Sequence, residues 1–226
     1  MKKSHPIKSG IPVLDDALDG GIIAGELLHI VGPGGVGKTT LALQFALDVI
    51  RKGDRVFYVN LESSFPIIRF RQLSSTAFAR VSPLITVVSP KDFHEQVQLV
   101  RNLDTYITPE VKLLVFDTIV SHYRKEWSQN INNVVINRML NQQFGLLANF
   151  QESHSVAIIV INQVRSDING EDEFKPVAES IISYWANHSI QISRAESKGY
   201  REFKLLKHKE TKPIVFTLEL LELGFK

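Results

Sequence analysis

The chain has 226 residues, 44 % hydrophobic and 22 % charged, with a formal net charge of +2 and no cysteine. This size and balance suit one globular domain with its own core. The missing cysteines exclude a disulfide framework, an iron–sulfur cluster and a cysteine zinc finger, and near-neutral charge means that any nucleic-acid-binding surface must be local.

Met1–Gly10 has Lys2 and Lys3 but no apolar run behind them, so it does not read as a signal peptide. The apolar stretches are too short to span a bilayer, and a cytoplasmic protein with no membrane partner is expected. The seven histidines are scattered without ligand spacing, so no zinc site is assigned.

Short apolar runs alternate with helical periodicity along the chain, the pattern of an α/β protein with a largely parallel sheet. A first strand is predicted at Glu26–Val31, after a glycine-rich turn at Gly20, Gly21 and Gly25. A helix follows from Lys38 to about Ile50 and stops near Gly53. The next elements are a strand at Arg55–Asn60, a helix over Ile67–Ala79, a strand at Leu84–Val88 and a helix over Asp92–Leu103. Lys112–Asp117 reads as a continuously apolar strand ending in a carboxylate. The longest helix is predicted over Ile131–Phe150, with apolar positions at 131, 134, 135, 139, 146, 147 and 150. A buried strand at Val156–Ile161 and a polar loop at Arg165–Pro176 come next. Ser189–Ser193, Arg201–Lys207 and Ile214–Leu218 alternate more, which predicts an antiparallel extension at the C-terminal end of the sheet.

Gly32-Pro33-Gly34-Gly35-Val36-Gly37-Lys38-Thr39 fits G-x-x-x-x-G-K-[ST] in full, between a predicted strand and a predicted helix. Glycines let the backbone wrap so that its N–H groups face phosphate oxygens, and the new helix aims its positive end at the same place. Lys38 would reach the β- and γ-phosphates of ATP, the Thr39 hydroxyl would ligate Mg²⁺, and Thr40 continues the grip. Asp117 at its strand end is placed to hold the Mg²⁺ shell. Position alone leaves Glu62 open between a water-activating carboxylate and a solvated loop residue. It likewise leaves Gln163 open between a γ-phosphate sensor and a residue that ends a strand.

Taken together, the Gly-Gly lead-in, the phosphate loop, Glu62, Asp117 and Asn162-Gln163-Val164 resemble the RecA/RadA recombinase pattern. Ser89–Gln96, Asp117–Arg124, Ile161–Val164 and Lys175–Glu179 are closer still to RadB, the short archaeal paralogue within that family, and the likeness runs over about residues 8–225. The resemblance implies a single RecA-like P-loop ATPase domain over 1–226 without the N-terminal helical DNA-binding domain, and hence no long filaments. It implies a DNA repair and homologous recombination accessory that binds DNA, hydrolyses ATP weakly and independently of DNA, and performs no strand exchange of its own. The main RadA-type recombinase and a Holliday-junction resolvase are the implied protein partners. Residue by residue, it gives Glu62 the water-activating role, places Gln163 at the start of the second DNA loop, and puts Arg69 near the adenine. One departure is Asn60-Leu61-Glu62-Ser63, where the family usually reads Asp-Thr-Glu-Gly; it points to slower hydrolysis or a differently aimed glutamate. A KaiC-like regulatory ATPase without a DNA role and a non-hydrolysing adaptor of the main recombinase stay open as alternatives.

Arg194–Pro213 holds seven Lys/Arg against three Glu and includes Lys198 and Arg201. Phosphates favour such a patch, and so does the edge of a sheet that must stay unpaired. Lys207 and Lys209 lie two apart, and by resemblance such a pair reaches a neighbour's γ-phosphate, which requires a homo-oligomer. Arg165 begins the polar loop, whose acidic residues oppose a DNA backbone. Tyr123, Arg124, Lys125 and Trp127 offer another DNA surface, if the two aromatics are not part of the core.

Overall fold

The computed structural model describes residues 5–62, 64–129, 133–164, 178–207 and 214–226. The strands are β1 Leu27–Gly32, β2 Arg55–Asn60, β3 Ile85–Val88, β4 Val111–Asp117, β5 Ala157–Gln163, β6 His188–Arg194, β7 Tyr200–Lys207, β8 Ile214–Leu221 and β9 Gly224–Phe225. They form one sheet in the order β3-β2-β4-β5-β1-β6-β7-β8-β9. The first six in that order run parallel, and β7, β8 and β9 add antiparallel at one edge.

The helices are α1 Pro12–Ala17, α2 Lys38–Arg51, α3 Ile67–Ser74, α4 Phe78–Val81, α5 Phe93–Arg101, α6 Ser121–Gln129, α7 Asn133–His154 and α8 Glu179–Trp185. Among the described residues none is long and apolar enough to cross a membrane. Successive residues of a strand face opposite sides of the sheet, so a strand covered on both faces must be apolar throughout. In β4, Leu113 and Val115 join the core under α2 and α3, while Leu114 and Phe116 join the core under α5 and α7. In β5, Ile159 and Ile161 face the first layer and Ile158 and Val160 the second.

Several predicted elements are corrected. The helix expected over Ile67–Ala79 stops at Ser74, where Ser75 takes a φ of 50°. The chain then passes through a 3₁₀ turn into α4, and the Ser74 hydroxyl is turned back onto the Phe70 carbonyl at 2.7 Å. The longest helix is displaced to Asn133–His154; it buries Leu147 and Phe150 as expected, but with Ile136, Leu140 and Phe144 as the rest of the stripe. Val134, Val135 and Leu146, expected on the inner face, are exposed. The displaced stripe includes Gln143, whose buried amide oxygen accepts from Gln96 Nε2 of α5 at 3.0 Å; a polar residue on the inner face hid the true period. Helices α1, α6 and α8 were not anticipated. The predicted loop Arg165–Pro176 lies outside the described residues.

Candidate functional site

Strand β1 ends at Gly32, the chain turns through Gly35 and Gly37 with φ of 73° and 102°, and α2 starts at Lys38. No side chain caps the start of α2. Its first amides therefore have no partner within the helix and point into the loop, where an anion is favoured. Lys38 is buried and its Nζ donates to the Pro33 carbonyl at 2.7 Å, so the ammonium closes back over the loop. Burial lowers its pKa from 10.5 to about 8, against the pull of the Asp117 and Glu62 carboxylates.

Asp117 ends β4, beside Asn60 of β2. Its Oδ2 accepts the Thr39 hydroxyl at 2.7 Å and the Tyr58 hydroxyl at 2.6 Å. Burial raises the Asp117 pKa, and the two hydroxyl donors oppose that rise. Tyr58 is a contact that sequence reading did not single out. The signal was its place in β2, on the strand face that looks toward α2.

The peptide bond after Asp117 is cis. Thr118, which follows it, donates from Oγ1 to Glu62 Oε1 at 2.6 Å, and the Ser121 hydroxyl reaches the same oxygen at 3.2 Å. The Asn60 amide donates to the Glu62 carbonyl at 3.2 Å and to Ser89 Oγ at 3.2 Å. Asn60 thus fixes the backbone of Glu62 while the head of α6 fixes its carboxylate. Gln163 ends β5 opposite Gly32, and its carbonyl accepts from Arg124 of α6.

Two segments far along the chain close the cleft. Arg69 of α3 donates from Nε to Thr40 Oγ1 at 3.0 Å, from Nη1 to the Glu222 carbonyl at 2.6 Å and from Nη2 to the Leu221 carbonyl at 2.9 Å. The Gln44 amide accepts from Phe225 N at 3.0 Å. A Cβ added at Gly37 would lie 2.5 Å from the Phe225 ring. The β8–β9 hairpin is thereby stapled to α2. The resulting cleft, about 400 Å³, is lined by Gly34 to Thr40 without Val36, and by Glu62, Arg69, Asp117, Thr118, Gln163, Leu220 and Leu221. Leu220 and Leu221 had no sequence signal, since only the fold brings the last strand to the loop.

The other predicted residues separate. Lys207 Nζ donates to the Ser183 carbonyl at 2.9 Å and to the Ala186 carbonyl. In the single chain it caps the end of α8, the position from which a trans-acting role would have to draw it away; Lys209 lies outside the described residues, as does Arg165. Lys207 pairs with Ser189 near the start of β6, so it sits at the end of the strands opposite the phosphate loop. Tyr123 is core, its hydroxyl donating to Asn137 Oδ1 at 2.6 Å, which removes it from any base-stacking surface; Trp127 packs beside it at a ring distance of 5.5 Å but stays partly exposed. Lys125 on α6 and Lys198 in the β6–β7 turn are exposed. Arg201 is half-buried and stands directly opposite Arg194, whose guanidinium comes within 3.9 Å of a Cβ placed on Gly35.

The donor set suits the ligands that the motif implies. A threonine hydroxyl and a buried carboxylate, 2.7 Å apart, are hard oxygen donors of the kind Mg²⁺ takes alongside phosphate oxygens. The glycine turn exposes backbone N–H groups with the Lys38 ammonium folded over them, a donor set that suits phosphate oxygens.

Residues 2–212 match the Rad51 family. The DNA repair and recombination protein RadB of Methanobrevibacter smithii is 32 % identical over 209 residues, covering 90 % of this chain and 87 % of its own. The protein of the same description from Thermococcus gammatolerans is 32 % identical over 208 residues, covering 90 % of each chain. A crystal structure of the RadB recombinase superposes with a TM-score of 0.79 at 29 % identity, covering 97 % of this chain and 98 % of that one.

Proposed function

The chain belongs to the Rad51 family and, within it, to the RadB proteins of DNA repair and recombination, and from that premise we propose that it is an ATP-controlled DNA-binding accessory of homologous recombination. The observation that carries this reading is the convergence of Lys38, Thr39, Glu62, Asp117 and Gln163 on one cleft. Gly32–Thr39 wraps the phosphates, with Thr40 continuing the helix start. Thr39 and Asp117 would hold Mg²⁺, which when bound would supply positive charge to offset that of the phosphates. Glu62 accepts the proton of the attacking water, and its aim is set by Thr118, Ser121 and Asn60. Those three contacts stand in for the family's acid and glycine at positions 60 and 63, and a carboxylate engaged by two hydroxyls fits slow turnover.

Support for DNA contact comes from the edge of the sheet that carries the phosphate loop. There Arg194 and Arg201 lie directly opposite each other across β6 and β7. Like charges so placed repel unless an anion lies between them. Lys198 in the adjoining turn and Lys125 on α6 extend the cationic surface, with Arg124 behind it holding the Gln163 carbonyl. The proposed partners are single-stranded or branched DNA and the main recombinase, in the cytoplasm; strand exchange is assigned to that recombinase.

The test is fluorescence anisotropy of labelled single-stranded DNA at several salt concentrations, with and without Mg²⁺–ATP, on wild type and Lys38→Ala. Binding that weakens with salt, and whose nucleotide dependence disappears in Lys38→Ala, is expected. No binding at low salt would favour a regulatory ATPase without a DNA role. Wild type with no ATP turnover above the background of Glu62→Gln would favour a non-hydrolysing adaptor.

A further inference from the structure

The cleft has two chemically different ends. Lys38, Glu62, Asp117 and Gln163 mark the end where the terminal phosphate belongs. The other end is bounded by Thr40, Arg69, Leu220 and Leu221, and these two leucines are the apolar residues of the lining among the described residues. Leu220 Cδ2 lies 3.3 Å from a Cβ placed on Gly37, so its side chain rests on the last glycine of the loop. Leu221 stands beyond it at the mouth, 40 % exposed. A nucleobase carries its apolar area on its faces and its identity on its edge. The leucines offer contact to a face.

The charged group at this end, Arg69, is already engaged. Arg69 spends Nε on the Thr40 hydroxyl, Nη2 on the Leu221 carbonyl, and Nη1 on the Glu222 carbonyl and, at 3.3 Å, the Gln72 amide oxygen. The guanidinium therefore acts as the clasp of a strap made by the end of β8 and the following turn. It positions the leucines and leaves its donors turned to the protein backbone.

We infer that this site holds its nucleobase by shape against the Leu220–Leu221 strap, does not read the hydrogen-bonding edge, and so takes nucleoside triphosphates with little regard to the base. The inference rests on the nucleotide-binding reading above and names the ligand class of the same cleft. Sites that hydrogen-bond a substrate group reject analogues lacking it by about 10⁴-fold or more, whereas apolar contact separates similar shapes far less. ATP, GTP and CTP are accordingly expected to bind within about tenfold of one another.

The experiment is displacement of a ribose-labelled fluorescent ATP from the full chain in Mg²⁺, using ATP, GTP, CTP and inorganic tripolyphosphate. Wild type should bind the three nucleotides alike and tripolyphosphate more weakly. Leu221→Ser, at an exposed position that leaves the core intact, should weaken all three nucleotides several-fold while leaving tripolyphosphate unchanged; Arg69→Gln should do the same by releasing the strap. A preference for ATP of a hundredfold or more over GTP and CTP would overturn the inference, because it requires a group that reads the base. So would a Leu221→Ser variant that loses tripolyphosphate and nucleotides equally, or neither. If the fluorescent ATP itself does not bind, the nucleotide reading fails and this inference falls with it, a result distinct from strong base preference.

Discussion

Thr39 and Asp117 are 78 residues apart in the chain and joined by a 2.7 Å hydrogen bond, the threonine hydroxyl donating to a carboxylate oxygen that Tyr58 also approaches. The bond links the start of α2, which follows β1, to the end of β4 across the intervening strand β5. It also holds a buried negative charge in place before any cation arrives.

A carboxylate kept in this way costs stability until it has a ligand, because burial disfavours its charged form. Asp117→Asn removes the charge and keeps an oxygen for Thr39 and Tyr58. The variant alone is expected to unfold in urea at the wild-type midpoint or above it. Mg²⁺–ATP at about a hundred times its Kd should stabilise wild type by about 2.7 kcal/mol and the variant by much less. Equal stabilisation of both proteins would remove Asp117 from the metal site.

Lys38 makes a second, pH-dependent contribution. Its folded pKa of about 8 lies below the unfolded value of 10.5. Between those values the unfolded chain holds a proton that the folded chain has released, so stability rises with pH there and is lost as pH falls through about 8. The full effect is at most about 3 kcal/mol, reached only near the unfolded value. Tyr58, whose pKa is raised, acts in the opposite sense above pH 10, which limits the useful window. Urea unfolding without nucleotide should show wild type gaining stability from pH 7.5 to 9.5 more steeply than Lys38→Met. Parallel pH profiles would mean that the lysine is solvated.

Gly37 combines a φ of 102° with a neighbour, the Phe225 ring, that a Cβ would meet at 2.5 Å. Gly37→Ala is expected to cost about 2 kcal/mol or more from backbone strain and overlap together. Adding Phe225→Ala should recover the overlap part but not the strain, so the double variant should be less unstable than the sum of the single changes. Simple additivity in a urea double-mutant cycle would show that the hairpin does not press on the loop.

Lys207 caps α8 at the end of the strands opposite its own phosphate loop. A cation on the last carbonyls of a helix contributes about 0.3–1 kcal/mol, more when partly buried. Lys207→Met is expected to lower stability by about 1 kcal/mol with no change in the displacement of fluorescent ATP. A large loss of turnover at high protein concentration, with stability unchanged, would instead show a role across a subunit boundary.

Much of the parallel sheet was legible because strands covered on both faces must be apolar throughout, as Leu113–Phe116 and Ile158–Ile161 are. The loop at Gly32–Thr39 was legible because phosphate chemistry demands glycines, a lysine and a hydroxyl at fixed spacing. Helix α6 escaped because Ser121–Gln129 is mostly polar and buries chiefly His122 and Tyr123. His122 is held there by the Pro90 carbonyl at 2.8 Å, a contact between distant segments that no local pattern announces. Thr118, Ser121, Leu220 and Leu221 were missed at the site for the same reason: each acts through a partner brought to it by the completed sheet. The pairing of β7 with β8 was legible in its alternation, while the direction of the Lys207 side chain was not.

The stapling of Phe225 and Leu221 to α2 and α3 has a consequence for synthesis. A chain leaving the ribosome exposes Gly32–Thr39 long before it exposes the segment that closes the cleft. During that interval the loop has its lysine and glycines but no wall beyond Thr40. The cleft therefore closes only once Leu220–Phe225 have been translated, and a chain that stalls or is clipped before Leu220 lacks that wall.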